Sequence, residues 1–250
     1  MNSQITIKKI QDLLLQRQDS SWVDDDTARR LWWASLEVIQ KEFLSHNYKE
    51  GGVWVASPLP ALNEKKIFKK LKGWLLSPEG FPYFQKVYAG FLPGTHSKKI
   101  EGDHDVSKNF KILNLNPQDG YEPFFMIVTP NFQCILTIAG EKDKKNLLMR
   151  CDEESLKTVI ELINVKFSQE NYEEGLNFRN AINNLGDLKI NDQFARNFWP
   201  SLSVKLSRLI PNFNTHNPID NDNKTVQLTE AKLLKAISHE VRTPLATIRT

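Results

Sequence analysis

The sequence predicts a mixed α/β unit at the front of the chain, then helices, then the start of a long amphipathic helix. Three observations predict it. Short apolar runs at residues 53–56, 124–128, 133–138 and 147–151 have the length of strands. Around them lie stretches whose apolar residues recur every three or four positions, the spacing of a helix with one buried face. Residues 211–224 are rich in Asn, Asp and Pro with almost nothing to bury, so they read as a linker.

The elements follow in order. Residues 5–15 carry Ile7, Ile10, Leu14 and Leu15 at helical spacing. A longer helix begins at Asp26 or Thr27 and runs to about Ser45, with Leu31, Trp32, Leu36, Ile39 and Phe43 as one stripe. Gly51 and Gly52 break that pattern, and residues 53–56 read as a buried strand ended by Pro58 and Pro60. Asn63 is placed to cap a helix through about Leu76, closed by Ser77 and Pro78. Loops then surround strands near residues 83–88 and 110–113. A hairpin joins 124–128 to 133–138 across the turn residues Thr129, Pro130 and Asn131. A further strand spans 147–151, and Asp152 caps a helix burying Leu156, Val159, Ile160 and Ile163. The α/β unit is expected to end near Ser168, giving a first domain over 1–168. A helical connector over 169–210 follows, with helices near 172–185 and 192–209, then the linker 211–224 and a last helix over 225–250.

Composition excludes some functions. The 250 residues hold 33 Lys and Arg against 30 Asp and Glu, a formal charge of +3, too small to imply nucleic acid. No apolar run approaches bilayer length; the best is residues 124–128. The N-terminus lacks the order of a signal peptide, so a cytoplasmic protein is expected. Two cysteines, Cys134 and Cys151, make no disulfide framework and are expected to be thiols.

The last helix carries the chemistry. Leu234, Ile237, Val241, Leu245 and Ile248 form one apolar seam. His239 stands two residues from both Ile237 and Val241, roughly 200° around the helix from each at about 100° per residue, so it faces away from the seam. Neutral imidazole can attack a phosphoryl group, provided its second nitrogen sheds or shares a proton. Glu240 is the candidate to take that proton or hold the tautomer. Thr243 lies four residues beyond His239 on the same face. Pro244 has no N–H, so the helix is weakened one turn past the histidine.

Ser238-His239-Glu240-Val241-Arg242-Thr243-Pro244-Leu245 closely resembles the H-box of bacterial two-component sensor histidine kinases. The resemblance covers about the last twenty residues. It implies that His239 is the phosphoacceptor, on the first helix of a dimeric four-helix-bundle phosphoacceptor domain. It also implies that Glu240 and Thr243 match a Glu-x-x-Thr step used to dephosphorylate the partner regulator. Implied partners are a second copy of the chain and the receiver domain of a response regulator. ATP and Mg2+ are implied for the complete kinase, held outside this chain. The sequence stops at Thr250, before a second bundle helix or any nucleotide-binding segment, and is expected to be a fragment or a truncated product. The preceding α/β unit resembles sensory modules of the GAF-like or DICT-like kind. The competing reading is a non-catalytic regulatory or scaffold protein that carries a phosphoacceptor helix without an ATP-binding domain.

Weaker signals have plainer explanations. Lys65, Lys66, Lys69, Lys70 and Lys72 surround Ile67, Phe68, Leu71, Trp74 and Leu75. They could form a basic helix resting on a membrane, though a solvated face over a core stripe is favoured. His96, Glu101, Asp103, His104 and Asp105 match no zinc spacing, so no metal is expected. Trp22, Trp32, Trp33 and Trp54 could line a pocket, with core packing as the default. A hairpin turning at Lys142 and Asp143 would place Cys134 opposite Cys151, within disulfide reach of a redox switch. Two small buried hydrophobes is the favoured reading.

Overall fold

The computed structural model describes residues 5–16, 22–44, 51–58, 61–62, 67, 70–78, 110–141, 144–188 and 192–209. Those residues form a six-stranded sheet covered by helices on both faces. In chain order the elements are α1 (Ile7–Leu15), α2 (Asp25–Val38) continuing as a π-helical stretch (Ile39–Leu44), β1 (Gly52–Ser57), β2 (Leu71–Ser77), β3 (Phe110–Asn114), a 3-10 turn (Pro117–Asp119), β4 (Phe124–Val128), β5 (Gln133–Glu141), β6 (Lys144–Arg150), α3 (Glu153–Glu170), α4 (Tyr172–Asn183) and α5 (Asp192–Leu209). Strand order is β3-β2-β1-β4-β5-β6. β1, β2 and β3 run parallel; β4, β5 and β6 are antiparallel to their neighbours. The fold class read from the sequence, a mixed α/β unit, is the observed one.

The two central strands are apolar throughout because both faces are covered: every residue of β1 and β4 is buried. One face packs Trp54, Leu75, Phe125, Leu136 and Ile138 beneath α2, its π-helical extension and α5. The other packs Val53, Val55, Trp74, Met126 and Ile135 beneath α1, α3 and α4. Caps define the helix starts. Thr6 accepts from Lys9 N at 3.1 Å, Asp24 from Thr27 N at 2.8 Å, and Asp152 from Ser155 N at 2.8 Å.

Several elements differ from the sequence reading. The expected helix over 63–76 does not reach Leu76: Ile67 is helical, but Leu71–Ser77 is a parallel strand beside β1, with Trp54 opposite Gly73. A Cβ on Gly73 would lie 2.2 Å from Trp54 Cε2, so the indole occupies the space a side chain would need. The basic helix that could rest on a membrane therefore loses its second half, because Leu71, Lys72, Trp74 and Leu75 are strand residues. The second helix starts at Asp25, ahead of the expected Asp26 or Thr27, because Asp24 supplies the cap. Its end is π-helical; Ala28, Trp32, Ala34, Ser35, Leu36, Val38, Ile39, Gln40 and Leu44 are buried, and Leu31 and Phe43 are half-buried. β6 begins at Lys144 and ends at Arg150, so Cys151 lies just past it. The strand expected near 83–88 lies outside the described residues.

The unit does not close at Ser168, which sits inside α3. Phe178 and Ala181 of α4 complete one core, and Phe194, Phe198 and Leu202 of α5 complete the other. The first compact unit accordingly extends to Leu209. The helices Tyr172–Asn183 and Asp192–Leu209 belong to the packed unit, because each carries an apolar stripe that the sheet buries.

Candidate functional site

His239, Glu240, Thr243 and Pro244 lie outside the described residues, as do the seam from Leu234 to Ile248, the linker 211–224 and the polar loop bearing His96, Glu101, Asp103, His104 and Asp105. Among the described residues no group of three or more His, Cys, Asp or Glu could hold a metal ion. The tryptophans do not converge on a pocket. Trp54 and Trp32 are buried in the core, Trp33 packs against it, and Trp22 is 45% exposed.

The β5–β6 ladder pairs Glu141 with Lys144 at one end and Ile135 with Arg150 at the other. One step beyond, Cys134 stands across from Cys151, and both thiols pack into the face covered by α2 and α5. The symmetric register read from the sequence is thus the observed one. The chemistry that a redox switch needs is suppressed. Burial pushes the Cys134 thiol well above its ordinary value, and the neighbouring Cys151 raises it further. Burial, reinforced by the charge of Asp152, pushes Cys151 up to about 12. The thiolate is the reactive form, so both residues behave at neutral pH as small packing groups.

A buried charge cluster escaped the sequence reading. Asp119 accepts from the backbone N–H of Ile7 at 2.9 Å, from that of Asn116 at 2.9 Å and from Lys166 Nζ at 2.9 Å. Lys166, 1% exposed, also donates to Glu170 at 2.7 Å. The carboxylate thus ties the first turn of α1, the 3-10 turn and α3 together. Only the three-dimensional fold brings these residues together; their one sequence signal is a lysine among the apolar positions of α3.

The remaining feature is where α5, the last described helix, meets α2. A groove of about 340 Å³ runs between them, lined by Glu37, Lys41, Pro200, Ser201, Val204 and Lys205. Glu37 accepts from Lys205 at 2.6 Å and from Lys41 at 2.5 Å. Partial burial pushes the Glu37 carboxyl up, but the two ammonium groups outweigh it and hold the carboxyl below its ordinary value. The groove is open and mixed in charge, a seam between helices with none of the apolar enclosure of a small-molecule pocket.

The family model that matches, a domain of unknown function (DUF8628), covers residues 8–211. Its end falls beside the end of the first compact unit at Leu209, so the H-box-like segment lies beyond it. No curated protein and no solved structure matches the chain. Because the family model covers well over half of the 250 residues, the chain belongs to the DUF8628 family.

Proposed function

We propose that this chain joins the sensory-input unit of a cytoplasmic two-component histidine kinase to its phosphoacceptor segment, with His239 as the residue phosphorylated. One observation carries the reading: eight consecutive residues, Ser238 to Leu245, in the order of the family's H-box. The folded unit over residues 8–211 would be the input. No described helix is long and apolar enough to cross a membrane.

In this reading a neutral imidazole nitrogen of His239 attacks the γ-phosphorus of ATP, the bond from that phosphorus to the bridging oxygen breaks and ADP leaves, and Glu240 takes or orients the proton on the other nitrogen. The phosphoryl group then passes to an aspartate of a response-regulator receiver domain, and Thr243 positions the water that later removes it from the regulator. Pro244 supplies the weak point in the helix at which the histidine is presented or withdrawn. A homodimer follows from the seam, since a single helix cannot bury Leu234, Ile237, Val241 and Leu245 alone.

Incubating the complete gene product with labelled ATP and magnesium tests the proposal. Acid-labile label that disappears in His239→Gln is the expected result. Label that survives the substitution overturns the assignment. A complete product that never labels from ATP, yet accepts phosphate at His239 from another kinase, would establish the scaffold reading in its place.

A further inference from the structure

Helix α5 is built from two unlike halves that meet at Pro200. In the first half Phe194 and Phe198 are buried. Phe194 stacks on Phe132 with ring centres 5.0 Å apart and packs against Phe43 at 4.6 Å. Pro200 has no N–H, so the carbonyl of Arg196 loses its helical donor and the backbone is weakened at the junction. Beyond it, Leu202 is buried, Leu206 is only partly so, and Val204 is 51% exposed. The hydroxyls of Ser203 and Ser207 donate back to the carbonyls of Trp199 at 2.9 Å and Val204 at 2.8 Å. Such bonds compete with the backbone ladder and bend helices.

Across the groove, Lys205 is fastened to Glu37. The opposing helix is irregular at the same place. Its π-helical stretch starts at Ile39 and includes Lys41, the second cation on Glu37. A proline break and a π-helical stretch therefore line one groove, where an ion pair joins the two helices.

We propose that residues 201–209 are a detachable half of α5, hinged at Pro200 and latched to α2 by the Lys205–Glu37 pair. Opening it uncovers Leu202 and part of Leu206 but leaves both phenylalanines seated, so it costs less than unfolding the unit, as expected of elements drawn from the low-stability end of a fold. The first half stays in place because its phenylalanines belong to the core. The device lies wholly within the first compact unit and does not depend on the phosphoacceptor reading.

Hydrogen exchange of the whole chain, read by mass spectrometry, tests it. Amides of residues 201–207 should exchange at least about tenfold faster than those of 196–199, where the intrahelical bonds begin, because fewer large buried side chains hold the second half. Glu37→Gln should accelerate the second half several-fold further and leave the first half unchanged. Pro200→Ala should slow exchange in residues 201–204. Pairing Glu37→Lys with Lys205→Glu should restore the wild-type pattern. Equal protection along the helix overturns the proposal. So does a second half indifferent to Glu37→Gln, which would be ordinary end fraying. Acceleration of the entire helix by that substitution would mean that α5 moves as one body, and also overturns it.

Discussion

The two faces of the sheet are closed by different chemistry. Beneath α1, α3 and α4 the contacts are directional. Asp119 is bonded to Ile7, Asn116 and Lys166. Gln11 Nε2 reaches Thr137 Oγ1 at 2.8 Å and the carbonyl of Glu122 at 3.1 Å. Trp74 Nε1 donates to Glu174 at 3.0 Å. Beneath α2 and α5 the contacts are aromatic and aliphatic, built on Phe43, Phe132, Phe194 and Phe198, with Glu37 at the rim. Buried hydrogen bonds and ion pairs admit one arrangement, because a shift leaves a buried group unpaired. Apolar packing has no such direction and tolerates small displacements. The face under α1, α3 and α4 is therefore the more narrowly specified of the two by its contacts, as Asp119, Lys166 and Gln11 show. The other is the face that α5 covers, next to the end of the first unit.

The largest expected effect would break the face under α1, α3 and α4. Asp119→Ala leaves Lys166 buried with only Glu170 and strips a partner from Ile7 N–H; the cost is about 3–5 kcal/mol, as for breaking a buried pair. Urea denaturation measures it, and Lys166→Met in the same chain should recover part of the loss. A loss below about 1 kcal/mol, the size of an exposed pair, would erase the distinction between the faces.

A smaller effect tests the aromatic face. Gly73→Ala drives a methyl group into the Trp54 indole and should cost about 1–3 kcal/mol, the usual range for overpacking. Indole fluorescence should report the displaced ring. A change near the top of that range with no ring movement would mean that this face is as rigid as the other.

The smallest effect is a slope with pH. The folded Cys151 pKa of about 12 lies above its ordinary value of 9.0. From pH about 9 upward the unfolded chain loses the proton while the folded chain keeps it, so stability falls as pH rises, reaching its limit near pH 12. The contribution is about 1 kcal/mol by one pH unit above the unfolded value. Cys151→Ser should flatten the alkaline slope by that amount, read from denaturation midpoints between pH about 8 and about 10.5. An unchanged slope would show that the thiol is not desolvated on this face.

The antiparallel half of the sheet is legible in the sequence because its instructions are local. Thr129, Pro130 and Asn131 turn the hairpin, the β5–β6 register brings Cys134 across from Cys151, and Asp152 caps α3. β2 is not legible in the same way. Leu71, Trp74 and Leu75 fit a helical stripe as well as a buried strand, and the lysines before them favour the helix. For the candidate site, the H-box-like octet is readable because its information is consecutive residues of mixed chemistry. The Lys205–Glu37 latch is not readable, because its partners lie far apart in the chain and meet only where α5 crosses α2.

Apolar spacing and capping chemistry are enough to specify a mixed α/β unit, most of its helices and its hairpins. Each depends on interactions within a few residues, which local sequence encodes directly. Tertiary packing decides the rest. β2 is a strand because β1 offers a free edge and Trp54 needs the space above Gly73. α4 and α5 join the unit because the sheet has two faces to cover. Asp119 meets Lys166 only once α3 has docked over the 3-10 turn, since the partners of a buried charge are set by what surrounds it in space.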